Sequence, residues 1–381
     1  MSPRRVLIVG AGLAGSRCAE VLRAEGFGGE VVLAGDEPQP PYERPALSKE
    51  LLAGRREDVS LRPVAFWAER GIDLRLGVHV TRIDARRRVA RTNSGSIRWD
   101  ALVLATGARA RRLPGLDGRP GVHALRSLAD ARALGSALGP GRRLAVVGAG
   151  FVGAEVASTA RELGADVSLL EAGDVPFGAI LGEEVGHVLA ERYRAAGVDL
   201  RTGAKASGLR ATAAGRPRAL ALACGSEAAC DAVLVAVGAE PATELLGGGE
   251  VKTDSCGRTA VPGVYACGDA ASVWRPAAAR HVRTEHWTSA AAQGAAVARA
   301  ILGRSEPADD VPYFWSDQFG LRLQHVGWPS GWDRVELEGV PDSFAARYLA
   351  RDGSLVAGLL ANRPHEIGAL RRELAERPLA A

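Results

Sequence analysis

Two cations and two acids stand out for the chemistry their spacing allows. Arg44 and Lys49 lie in PPYERPALSKELLAG (residues 40–54), a stretch punctuated by Pro40, Pro41 and Pro45. Proline fixes φ and removes a donor, so this segment reads as a stiff, ordered connection that holds two positive charges in place. Asp36 and Glu171 each follow, by about 20 residues, a run of the form Gly-x-Gly-x-x-Gly. The runs are Gly10, Gly12, Gly15 in RVLIVGAGLAG (5–15) and Gly148, Gly150, Gly153 in RLAVVGAGFVG (143–153). The first glycine permits a tight turn, the second lets backbone approach a pyrophosphate, and the third lets helix and strand pack closely. The acid then accepts from ribose hydroxyls.

The elements that must position these residues are legible around both runs. Val6–Val9 is a short apolar run before Gly10, and Ala14, Cys18, Ala19, Val21 and Leu22 follow at helical spacing. A second strand, 30–34, then delivers Asp36. The later run repeats the order, with Ala154, Val156, Ala157 and Ala160 on the helix and strand 166–170 delivering Glu171. Phe151 and Val152 fill the two positions before Gly153 and join its candidate cofactor-binding set. No arginine follows Glu171 in Glu171-Ala172-Gly173-Asp174, and a carboxylate repels a 2′-phosphate, so NADH is favoured over NADPH at the second site. Two dinucleotide sites in one chain suggest a flavin and a nicotinamide bound face to face. Two further stretches agree. A buried strand runs to Ala105-Thr106-Gly107 and recurs weakly before Gly238. In 263–271, Gly268 and Asp269 are expected at a strand end before a helix, where Asp269 accepts from a ribityl hydroxyl or simply caps that helix.

With 381 residues the chain is long enough for two or three domains. The formal net charge of +4 is too small an excess to argue for nucleic acid, although it would tolerate an acidic protein partner. No apolar run approaches a membrane span. Five cysteines form no closely spaced framework, which points to a reducing, cytoplasmic setting; Cys224 and Cys230 read as hairpin thiols rather than a pair. The seven histidines are scattered, and no metal-ligand spacing is found.

These elements, in this order, resemble the oxygenase-coupled NADH:ferredoxin reductases, which are FAD-dependent pyridine nucleotide oxidoreductases. The resemblance runs from about residue 4 to 330 and thins afterwards toward a shortened C-terminal region. Its most specific stretches are PPYERPALSKELLAG, EHWTSAAAQGAAVARAILG and PYFWSDQFGLRLQHVG. It implies an α/β fold with two Rossmann-like dinucleotide-binding domains arranged as in glutathione reductase, plus a small α+β C-terminal domain. The FAD domain would comprise 1–112 and 235–310, the NADH domain 113–234, and the C-terminal domain 311–381, with an Arg/Glu/Ala-rich helix at 366–376.

The resemblance also assigns roles. Arg44 would lie along FAD and Lys49 beside the isoalloxazine N5, with Glu155 facing that lysine as its catalytic partner across the nicotinamide pocket. Ala14 and Asp36 would contact the adenosine half, Val80 the adenine through its backbone, and Arg126 the diphosphate or ring side. Asp269, Glu285, His286 and Trp287 complete the flavin site, with the helix after Trp287 aimed at the flavin pyrimidine. Trp315 would line the exposed flavin edge. Hydride would pass from NADH to flavin, and single electrons to a [2Fe–2S] ferredoxin feeding a P450 or Rieske oxygenase, with Arg62 among the cations offered to that partner. Residues 37–55 contain no cysteine, which argues against disulfide chemistry. A flavin NADH oxidase or quinone reductase, and an apoptosis-inducing-factor-like interaction protein, are the alternatives. The chain is expected to be a monomer or homodimer.

Overall fold

A computed structural model describes residues 3–308, 311–328 and 330–375. Strand β1 (Arg5–Val9) has four consecutive buried apolar residues, the pattern of a strand covered on both faces. It pairs in parallel with β2 (Glu30–Ala34) on one side and with Ala101–Leu104 on the other. Ile72–Arg75 and Val264–Ala266 complete a five-stranded parallel sheet at its two edges. Helix α1 (Leu13–Ala24) crosses helix Trp287–Ile301 closely. A Cβ on Gly294 would stand 2.3 Å from the Ala14 carbonyl oxygen, so only glycine allows this approach.

Between the strands Ala101–Leu104 and Val264–Ala266 the chain builds a second parallel sheet. Its order is Asp199–Arg201, Asp166–Leu170, Arg143–Val147, Ala232–Val235 and Val122–His123. Val235 pairs with Val147 here, so the expected limit at 234 falls inside a strand. The remaining segment forms an antiparallel sheet in the order Tyr313–Gln318, Leu321–Gly327, Leu355–Ala361, Ser343–Leu349 and Arg334–Val340. One face is covered by helix Ile367–Ala375 through Leu370 and Leu374. The other packs Leu323, Phe344, Tyr348 and Leu359 into the same core as Leu181, Val185 and Tyr193 of helix Gly178–Ala195. Glu376, the end of the expected C-terminal helix, lies outside the described residues.

One expected element differs. After Asp269 the chain makes only a single 3-10 turn, Gly268–Ala270, and continues as strand Ala271–Arg275. Ala271 is already extended and pairs with Val251, and the following Ser-Val-Trp suits a pleated strand better than a helix. Among the described residues no helix is long and apolar enough to cross a membrane. All five cysteines are free; Cys224 is exposed in a turn and Cys230 is buried.

Candidate functional site

Both glycine turns have the same internal geometry. Gly10 has φ +109°, and a Cβ there would sit 2.1 Å from the Ala105 carbonyl oxygen; Gly148 has φ +100° and the corresponding distance to Ala236 is 2.5 Å. Gly15 and Gly153 each lie so close beneath the first glycine of their turn that a Cβ would stand 2.0 Å from its carbonyl oxygen. Gly12 and Gly150 are different. A Cβ at either would meet no protein atom within 4 Å, so the space in front of each helix N-terminus is open to a ligand.

The first turn opens into a cavity of about 700 Å³, within the usual range of about 300–1,000 Å³ for small-molecule sites. Gly10, Gly12 and Ala14 line one end, and Ala105, Thr106, Gly107 and Gly238 a side. Gly268, Asp269, Glu285, His286, Trp287 and Trp315 line it as well, with Trp315 stacked beside Tyr313. Gly15 lies beneath the turn. Asp36 lines the cavity from an exposed position on the rim. Val80 is buried in strand Val80–Asp84 and does not line the cavity.

The cations are engaged rather than bare. Arg44 donates to Glu37 Oε1 at 2.7 Å, to the Tyr42 hydroxyl at 2.8 Å and to the Arg126 carbonyl at 2.5 Å. Tyr42 in turn donates to Glu37 Oε2 at 2.6 Å. Arg126 is paired with Asp269 at 2.7 Å. This network ties the proline-rich segment to the wall that carries Asp269. Its hinge, Glu37, gave no sign in the sequence beyond standing next to Asp36. Arg62, expected to be offered to a partner, is instead paired with Glu20 at 2.9 Å.

Lys49 and Glu155, 106 residues apart in sequence, meet at 2.8 Å. Lys49 comes from the proline-rich segment and Glu155 from helix Phe151–Glu162, which starts at the second glycine turn. That helix turns Phe151, Val152 and Glu155 to the cavity, whereas Gly148, Gly150 and Gly153 lie outside it. The lysine is 8 % and the glutamate 6 % exposed, and a buried ion pair of this kind is tolerable only with further hydrogen bonds. Ser48 supplies one at 2.5 Å to the same Oε2. At the second turn, Glu171 accepts from the Ala149 and Gly173 backbone N–H groups, each at 2.9 Å. Burial pushes His286 down to about 4, against the opposing pull of Asp269, so it faces the cavity as a neutral imidazole.

These features fit an extended dinucleotide in the cavity and a second one at the Gly150 turn. Each turn has an open helix N-terminus with an acid about 20 residues on, and Glu155 of the second turn's helix meets Lys49 at the cavity.

Comparison with known proteins agrees. Residues 4–294 match the family described as pyridine nucleotide-disulphide oxidoreductase, and residues 313–379 match a reductase C-terminal family. Similarity therefore continues through the C-terminal region, where the sequence reading has it thin. The biphenyl dioxygenase system ferredoxin–NAD(+) reductase component of Paraburkholderia xenovorans (strain LB400) is 36% identical over 96% of this chain and 92% of its own length. Rhodocoxin reductase of Rhodococcus erythropolis is also 36% identical, covering 98% and 90%. The putidaredoxin reductase–putidaredoxin complex superposes with a TM-score of 0.95 at 32% identity, covering 98% of this chain and 94% of that one.

Proposed function

The chain belongs to the pyridine nucleotide-disulphide oxidoreductase family, and from that premise we propose that it is an FAD-dependent NADH:ferredoxin reductase serving an oxygenase. The observation that carries this reading is the buried Lys49–Glu155 pair, which joins the two nucleotide cradles at one cavity. FAD, when bound, accepts a hydride from NADH and releases the two electrons singly. The chain's own residues bind, orient and insulate. In this reading the Gly12 turn and its helix N-terminus hold the FAD pyrophosphate, with Asp36 at the adenosine end and Asp269 and Arg126 along the ribityl and diphosphate. The Gly150 turn and Glu171 hold NADH. Lys49 donates to Glu155 Oε2, which Ser48 also serves, so the pair holds a cation beside the cavity where negative charge would develop. Phe151, His286 and Phe314 form an apolar, ring-lined wall against water.

The described residues lining the cavity include no cysteine, which favours an external electron acceptor over a protein disulfide. A small [2Fe–2S] ferredoxin docking by Trp315 is that acceptor. The relatives named as reductase components of oxygenase systems support it, and so does Arg371, which lies over the Tyr313 ring 4.2 Å from its centroid. Cytoplasmic placement accords with five unpaired cysteines. Stopped-flow spectroscopy tests the proposal. NADH bleaches the bound FAD rapidly, air restores its colour slowly, and a [2Fe–2S] ferredoxin brings rapid turnover. Rapid air reoxidation with no response to any such ferredoxin overturns it.

A further inference from the structure

The two oxygens of Glu155 are served from opposite sides. Oε2 accepts from Ser48 and Lys49, whereas Oε1 accepts from the Ser316 hydroxyl at 2.8 Å. Ser316 lies on strand Tyr313–Gln318 of the C-terminal sheet, 161 residues away in sequence. Its oxygen accepts from Gln318 Nε2 at 3.0 Å, and Gln318 Oε1 accepts from the hydroxyl of Tyr193, on helix Gly178–Ala195. Ser316 and Tyr193 are fully buried and Gln318 is 2 % exposed, so no member is screened by solvent.

The direction of this chain follows from the carboxylate. An ionised carboxylate can only accept, so Ser316 must spend its one proton on Glu155. Its oxygen is then left to accept, which requires the amide N–H of Gln318 to face it. The amide oxygen consequently faces Tyr193, which must donate. Each link polarises the next toward Glu155, and such chains reinforce one another in a low-dielectric interior. Strand alternation supports the assignment. Phe314, Ser316 and Gln318 share the buried face of the strand, while Trp315 and Asp317 alternate to the other face.

We propose that Tyr193, Gln318 and Ser316 act as a one-way hydrogen-bond chain that positions the Glu155 carboxylate against Lys49. The inference rests on the proposed role of the Lys49–Glu155 pair in FAD reduction by NADH. The three are positioning residues, acting through Glu155. The titratable groups facing Glu155 are Lys49 from the proline-rich segment and Tyr193 from helix Gly178–Ala195. Strand Tyr313–Gln318 offers only neutral Ser316 and Gln318, and the glutamate's own helix offers neutral Ser158 and Thr159. Burial first, and then the charge of Glu155, holds the Tyr193 hydroxyl far above its ordinary range, so it stays a donor at every working pH.

The test uses the FAD-loaded enzyme and the variants Ser316→Ala, Ser316→Thr, Tyr193→Phe and Glu155→Gln. Two readouts are followed across pH: the limiting rate of FAD bleaching by NADH, and the ¹³C resonance of the Glu155 carboxyl carbon, assigned by its loss in Glu155→Gln. Ser316→Ala is expected to slow bleaching about tenfold at neutral pH and to move the acid limb of both profiles upward. Tyr193→Phe moves both in the same direction by less, being two links further away, and Ser316→Thr restores them. Wild-type profiles in Ser316→Ala and Tyr193→Phe, with Glu155→Gln slow, overturn the chain and leave the pair's role standing. A Glu155→Gln enzyme that bleaches at the wild-type rate overturns both.

Discussion

The two glycine turns are near copies in backbone and unlike in everything attached to them. In each, the first glycine lies against a carbonyl of the neighbouring strand end, the third lies under the first, and the second faces open space. Yet the first turn lines a cavity, and the second stands outside that cavity with only the next turn of its helix reaching in. Their acids differ as well. Asp36 sits exposed on the rim while its neighbour Glu37 does the structural work, clamping Arg44 and Tyr42. Glu171 does both jobs itself, accepting from the backbone of its own turn while remaining part exposed. On the proposed reading the shared backbone would cradle a phosphate at each turn, and the two turns differ in what surrounds them.

The largest effect should come from closing each cradle in turn. Because no protein atom lies within 4 Å of a Cβ at Gly12 or Gly150, valine at either position leaves the fold room and takes it from the ligand. Gly12→Val should give a folded but colourless protein. Gly150→Val should give a yellow one that dithionite bleaches and NADH does not. Absorbance spectra before and after each reductant decide the matter, and a yellow Gly12→Val enzyme breaks the distinction between the turns.

The next effect concerns the point where the cradles meet. Lys49→Ala leaves Glu155 buried without its cation, and breaking a buried pair is costly even where the pair itself adds little. FAD reduction by NADH should slow at least tenfold, about 1.4 kcal/mol on the barrier, with FAD still bound. An unchanged stopped-flow rate removes Lys49 from the chemistry.

The cavity at the first turn carries a pH liability beside His286 and Phe314. Phe314 stacks on His325 at 4.8 Å between centroids and contacts His286 at 4.9 Å. Burial, and then His286, push His325 down to about 3, and neither of its ring nitrogens has a hydrogen-bond partner among the described residues. The folded state thus resists a proton that the unfolded chain accepts below about pH 6.5, so stability is present above that pH and is lost as pH falls toward 3. Between pH 7 and pH 5 His325 alone should cost about 2 kcal/mol. His325→Phe keeps the stack and removes the liability, so its urea-unfolding stability should fall less over that interval. Parallel pH dependence in the two proteins removes His325 as the cause.

Much of this was legible in sequence because it is local. Strand, glycine turn, helix and acid are consecutive, and their periodicity marks the elements around Gly10 and Gly148 alike. The Lys49–Glu155 pair was reached only through family resemblance, since nothing in either segment's pattern points to the other across 106 residues. The ligands that finish that site were not legible at all. Ser48, Ser316, Gln318 and Tyr193 are ordinary residues until three elements fold onto one carboxylate. Asp269 illustrates the opposite error. A carboxylate after a glycine at a strand end reads as a helix start, but the following residues pair as a strand, and the nearby helix whose N-terminus reaches the cavity begins at Trp287.

The smallest effect tests the difference between the two acids. If Glu171 meets the nicotinamide cofactor's adenosine ribose, its charge opposes a 2′-phosphate, whereas Asp36 at the other cradle has no part in that choice. Glu171→Gln keeps a side-chain oxygen to accept from Ala149 or Gly173 but deletes the charge. Two unit charges about 4 Å apart in water interact by about 1 kcal/mol, roughly a fivefold preference, and a doubly charged phosphate at a part-exposed site should feel at least that. The ratio of kcat/KM for NADH over NADPH should therefore fall roughly fivefold in Glu171→Gln and stay unchanged in Asp36→Asn. Glu171→Arg, which adds a cation, should move it further at some loss of stability, because two backbone N–H groups lose their acceptor. A ratio that moves with Asp36 rather than Glu171 would mean that the cradles have been assigned to the wrong nucleotides.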